Sequence, residues 1–139
     1  MTYLLDANVL IALVVEEHEH HDVVSRWASQ AGPVAVCPIV EGALVRFLLR
    51  VGETATTAAA VLTAVRALPS VEFWPDTVSY ADLDLSQLRG HREVTDAYLA
   101  GLASANMAIL ATFDKGLAQR HPEGSVLLAD EPPSDQPGS

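Results

Sequence analysis

Residues 3–14 read YLLDANVLIALV, and this stretch decides the fold. Tyr3, Leu4 and Leu5 form a short apolar run of strand character, whereas Val9, Leu10, Ile11, Leu13 and Val14 form the apolar part of a helix. Asp6 stands at the junction, at the C-terminal end of the strand. A carboxylate buried there without compensation costs several kcal/mol or takes up a proton instead. Asp is also a favoured N-cap, so capping alone accounts for it if the helix begins at that point. The rest of the chain has to decide whether Asp6 does more.

Working outward, strand and helix patterns alternate. HEHHDVVSRWASQ (18–30) places Val23, Val24, Trp27 and Ala28 at helical spacing, and GPVAVCP (32–38) reads as a short strand closed by Pro38. Pro38 suits the first turn of a helix, PIVEGALVRFLLRVG, that ends near Gly52. ETATTAAAVLTAVRAL (53–68) is an Ala-rich helix stopped by Pro69, and VEFWP (71–75) is a strand. YADLDLSQLRG (80–90) is expected to be a short helix and HREV (91–94) a loop. TDAYLAGLASANM (95–107) is expected to be a helix capped by Thr95. AILATF is a buried strand, DKGLAQR a helix and SVLLA a last strand. The alternation predicts an α/β sandwich with a mainly parallel sheet and helices on both faces. One domain is expected over residues 1–129, with the Pro- and Ser-rich tail 130–139 disordered.

Composition narrows the function. The 139 residues are 50% hydrophobic, enough for a substantial core, and no apolar run reaches the 18 residues of a membrane span. The first residues lack the basic start of a secretion signal, so a cytoplasmic protein with no membrane partner is expected. Cys37, the single cysteine, reads as a small core residue. The net charge of −10 argues against a broad basic face that coats nucleic acid. It leaves open a site where divalent cations convert negative charge into affinity for phosphate, or a basic partner protein. His18, His20 and His21 have no distant Cys or His to complete a zinc site, so they are read as solvated surface.

Four acids stand in apolar surroundings. Asp6 follows YLL, Glu41 lies inside PIVEGALVRFLL, Asp96 opens DAYLAGLA, and Asp114 follows AILATF. Asp6 and Asp114 both end parallel strands at the carboxyl edge, where open α/β sheets bind ligands. Asp96 and Glu41 occupy first turns of helices that can open onto the same edge. Each has an ordinary explanation: a cap for Asp6 and Asp114, the helix dipole for Asp96, a pair with Arg46 for Glu41. One shared cause is simpler than four separate ones. Converging carboxylates repel unless a divalent cation neutralises them, and oxygen ligands favour Mg²⁺ or Mn²⁺ over zinc. Such a site suggests phosphodiester hydrolysis. No GxSxG, GxxxxGK[ST] or GxGxxG occurs, so hydrolase-elbow and nucleotide-loop chemistry lose support.

In order and spacing, LLDANVLI, the Glu of PIVEGALVRFLLR, VTDAYLAGLA and ILATFD resemble the acidic motifs of PIN-domain ribonucleases. The likeness is greatest to VapC-type toxins of bacterial toxin-antitoxin pairs, especially the mycobacterial kind, and runs from Tyr3 to Leu128. The resemblance implies a PIN-like three-layer sandwich and a Mg²⁺- or Mn²⁺-dependent endoribonuclease acting on structured RNA, tRNA or rRNA. By position Asp6, Asp96 and Asp114 match the family's metal-holding aspartates, and Glu41 matches a glutamate that often acts through water. Thr112 falls where a hydroxyl residue orients a ligand, and Asn8 is a weaker residue of that kind. The family also implies a homodimer, a cognate VapB-type antitoxin, and a heterotetramer or larger assembly with it.

Arg46, Arg50 and Arg92, with Arg89 and His91, are candidates for contacts to RNA phosphates, against ordinary solvation and local ion pairs. Trp27 and Trp74 are read as core. Two other classes compete: a receiver-like signalling domain and a non-catalytic acidic binding domain. A receiver wants an adjacent acidic pair after the first strand and a lysine after a late one. Here Asp6 is followed by Ala7, and the only lysine, Lys115, directly follows an acid.

Overall fold

The computed structural model describes residues 1–128, so the expected disorder of the tail lies outside the described residues. Five short strands, β1 (Tyr3–Leu5), β2 (Val34–Val36), β3 (Val71–Phe73), β4 (Ile109–Thr112) and β5 (Ser125–Leu127), form one sheet in the order β3-β2-β1-β4-β5. Every neighbouring pair is parallel, with Leu4 opposite both Ala35 and Leu110. The three inner strands are apolar almost throughout because both their faces are covered, and only the outer strands expose side chains.

The connections explain the layers. From β1 the chain steps outward to β2 and β3 through α1 (Ala7–Val14), α2 (His21–Ala31), α3 (Pro38–Arg50) and α4 (Ala55–Ala67). It then crosses back to place β4 on the other side of β1 through α5 (Val94–Ala105), and α6 (Lys115–Arg120) leads to β5. Right-handed crossovers running in opposite directions put their helices on opposite faces. The reversal leaves a crevice between the carboxyl ends of β1 and β4. Leu4, Leu5, Leu10, Leu44, Leu99, Leu102, Leu110 and Leu117 are almost wholly buried around this sheet. Trp27 meets Tyr3 edge-on at 5.1 Å and, like Trp74, packs against the core, as expected from sequence.

Several local expectations change. Residues 80–90 contain only one 3-10 turn, Tyr80–Asp82. The Asp84 carboxylate accepts from the Ser86 N–H at 3.0 Å and from its hydroxyl at 2.6 Å, and this local bonding diverts the backbone from a helix. Residues 91–93 are a 3-10 turn, not a loop, and run straight into α5, so Glu93 and not Thr95 occupies the cap position. The histidines are half-buried, not solvated. His21 Nδ1 lies 2.8 Å from the Ala12 carbonyl, and the His20 ring stacks on Phe113 at 4.6 Å. Among the described residues no helix is long and apolar enough to cross a membrane.

Leu110, fully buried in β4 beside Leu4, tests the weight of this core. Leu110→Ala is expected to lower stability by about 2–5 kcal/mol, read as a drop in the urea midpoint.

Candidate active site

Strand ends and helix starts converge at the β1/β4 crevice. Asp6 leaves β1 with extended backbone, caps α1 by accepting the Ala7 N–H at 2.8 Å, and donates its own N–H to the Ala111 carbonyl of β4 at 2.9 Å. Its other oxygen, Oδ2, accepts the Thr112 hydroxyl at 2.6 Å, and Thr112 is fully buried. The Thr112 Oγ1 accepts in turn the Asp114 N–H at 3.0 Å. Asp114 caps α6 by taking the Leu117 N–H on Oδ1 at 3.0 Å. Capping and site placement are thus the same arrangement, because a helix that starts at the carboxyl edge points its free N–H groups there.

Asp96 reaches the crevice from the first turn of α5. Burial pushes its carboxyl up to about 6, the charges of Asp6 and Asp114 push in the same direction, and Arg120 opposes them. Burial also raises Asp6, against the Thr112 and Ala7 hydrogen bonds that lower it and with the Asp114 charge that raises it. The Arg120 guanidinium lies 3.0 Å from Asp96 Oδ2 and 3.6 Å from Glu93 Oε2. Neither Arg120 nor Glu93 stands out in the sequence. Each lies in a polar stretch, and only the packing of α6 beside the start of α5 joins them.

The structure therefore brings Asp6, Asp96 and Asp114 into mutual electrostatic contact, with Thr112 between two of them. On Glu41, in the first turn of α3, burial raises the carboxyl and the Arg66 charge lowers it. Asn8, at the start of α1, holds a buried Oδ1 without a hydrogen-bond partner among the described residues. Arg46, Arg50 and Arg92 are exposed, Arg50 lying 5.7 Å over the Phe47 ring.

The chemistry of this donor set suits a hard cation. Asp6 and Asp96, both raised by burial and by the Asp114 charge, form with Asp114 a set that offers only oxygen ligands. Among the described residues no three His, Cys, Asp or Glu are drawn together closely enough to chelate an ion. Protein donors occupy oxygens on each of the three aspartates: Ala7 and Thr112 on Asp6, Arg120 on Asp96, Leu117 on Asp114.

Two measurements follow from this geometry. Thr112→Val leaves Asp6 without its hydroxyl donor and the Asp114 N–H without its acceptor, and is expected to cost about 1–3 kcal/mol by urea unfolding. The second concerns pH. Folded Asp96 keeps its proton up to about pH 6, whereas the unfolded chain releases it near 3.8. The stability this group contributes is complete below 3.8 and is lost as pH rises through 6. With chelator present, Asp96→Asn is expected to exceed the parent at pH 7.5 by on the order of 2 kcal/mol, with the gap closing below pH 4.

Relatives of the chain agree with this architecture. Residues 3–121 match the PIN domain family. Ribonuclease VapC29 of Mycobacterium tuberculosis is 52% identical over 130 residues, which are 92% of this chain and 97% of that protein. Among solved structures, M. tuberculosis VapC20, described as a Sarcin-Ricin loop cleaving toxin, superimposes with a TM-score of 0.62 at 18% identity, covering 86% of this chain and 95% of that one. A toxin-antitoxin complex from Klebsiella pneumoniae gives 0.65 at 15% identity, covering 93% and 99%. At such identities the structures speak for the fold, a five-stranded parallel sheet of PIN type, and the close relative speaks for the chemistry, which sets aside the receiver-like and non-catalytic alternatives. With a domain match over most of its length and a ribonuclease more than half identical along nearly all of it, the chain belongs to the PIN-domain family and, within it, to the VapC ribonucleases of mycobacterial type.

Proposed function

We propose that this RNA-hydrolysing nuclease is a Mg²⁺- or Mn²⁺-dependent endoribonuclease toxin, and that Asp6, Asp96 and Asp114 hold its metal. The observation that carries this is the convergence of three carboxylates from β1, α5 and the end of β4 on one crevice, where the charges of Asp6 and Asp114 raise Asp96. A divalent ion held there supplies the charge that polarises the scissile phosphate and eases deprotonation of a water.

The protein's own part is positioning. Thr112 fixes the Asp6 carboxylate and the Asp114 backbone together, so the two ligands keep a set separation. Asn8 Oδ1, buried and unpaired among the described residues, is suited to accept a hydrogen bond from water at the site. Glu41, in the first turn of α3, acts through water. Arg92, exposed on the turn before α5, and Arg46 and Arg50, exposed on α3, are the cations proposed to meet RNA phosphates.

The substrate proposed is structured RNA, tRNA or rRNA. The rRNA arm is supported by the Sarcin-Ricin loop specificity named for the structural relative, which shares the fold at low identity. A VapB-type antitoxin is the proposed partner, supported by the neighbour solved as a toxin-antitoxin complex and by the net charge of −10, which suits a basic inhibitor segment. Homodimerisation, a heterotetramer or larger assembly with the antitoxin, and a cytoplasmic location complete the proposal.

The test is cleavage of total tRNA and rRNA by the purified chain. Discrete fragments are expected with Mg²⁺ or Mn²⁺ and none with chelator, and Asp96→Asn is expected to lower the rate at least about a hundredfold. A folded parent chain that cuts none of these RNAs in either metal would overturn the metal-nuclease assignment.

A further inference from the structure

Arg120 has no place in the scheme so far, yet it is the cation most intimately joined to the acids. Its side chain, 18% exposed, donates Nη2 to Asp96 Oδ2 at 3.0 Å and sets Nη1 3.6 Å from Glu93 Oε2. Arg89 also pairs with Glu93, at 3.7 Å, but is 78% exposed and touches no member of the triad. Room for the Arg120 fork comes from Gly116, one helical turn earlier on α6. A Cβ at that position would stand 3.1 Å from Arg120 Nη1 and 3.3 Å from Asp114 Oδ1.

We propose that Arg120 is the resident counter-cation of the acid triad: it holds Asp96 while the site is metal-free and competes with the divalent ion for that carboxylate, which sets the metal affinity. This rests on the metal-nuclease assignment above. A guanidinium and a divalent ion that share one carboxylate repel each other, and the oxygen that Arg120 holds has to be shared or surrendered when the ion arrives. Arg120 is therefore a positioning residue that acts through Asp96. Removing it has an unusual signature. A brace that merely shapes the site loses metal affinity when deleted, whereas a competitor gains it.

The experiment is calorimetric titration of the full chain with Mn²⁺ alone, without RNA, for the parent, Arg120→Gln, Arg120→Met and Arg120→Lys. Arg120→Gln is expected to bind Mn²⁺ about three- to tenfold more tightly. Arg120→Lys keeps the charge and is expected to stay within about twofold of the parent. Arg120→Met also removes the charge while keeping the apolar part of the stem, is expected to follow Arg120→Gln, and serves if that variant does not fold. In cleavage assays the Mn²⁺ concentration for half-maximal rate moves in the same direction. Mn²⁺ binding by the parent with unchanged or weaker binding by Arg120→Gln and Arg120→Met overturns the competition and leaves the nuclease assignment standing. A parent chain that binds no Mn²⁺ overturns both.

Discussion

The hydroxyl of Thr112 is the small hinge on which the site turns. It donates to Asp6 at 2.6 Å and accepts the N–H of Asp114 at 3.0 Å, so one buried oxygen joins the exits of the two strands that flank the crevice. Asp6 is only 8% exposed, and a carboxylate so placed needs donors. The fold supplies them from the helix start at Ala7 and from Thr112. The parallel register of β1 on β4, Leu5 against Ala111, is what sets these groups opposite each other. Topology, register and one hydroxyl together make a site that loops alone would hold less firmly.

The acids also illustrate how a fold tolerates its own repulsion. Asp96 is driven up to about 6 by burial and by its neighbours, a permanent tension among β1, β4 and α5. Each carboxylate has been given a protein donor, so the free energy stored in their proximity is divided between helix caps and one ion pair. Active sites are generally where such tension is kept, because the groups that suit chemistry are not those that suit packing.

Much of this was legible in the sequence because the strands are short, apolar and bounded by acids. Asp6 and Asp114 sit where an apolar run stops and a helix begins, a pattern visible without coordinates. Thr112 was found through family spacing, since a Thr inside ILATFD looks like any strand residue until its partner 106 positions away is known. The cap of α5 was misplaced because a 3-10 turn flows into the helix, which leaves Thr95 inside it and gives Glu93 other partners: the Arg89 N–H and Arg120. Arg120 itself carries no local signal. A polar helix end with an arginine is ordinary, and only tertiary packing turns it toward Asp96.

The distance along the chain between Asp6 and Thr112 has a consequence for the life of the molecule. The bond between them joins residues 106 positions apart, and no shorter segment contains both partners. At a synthesis rate of ~5–20 residues per second, roughly 5 to 20 seconds separate the appearance of the two residues at the ribosome. A nascent chain that carries β1 to β3 has its first acid and most of one helical layer, but lacks the strand that completes the crevice. Until β4 has emerged, the chain lacks the strand whose Thr112 ties Asp6 to Asp114, so the crevice is among the last features of the fold to form.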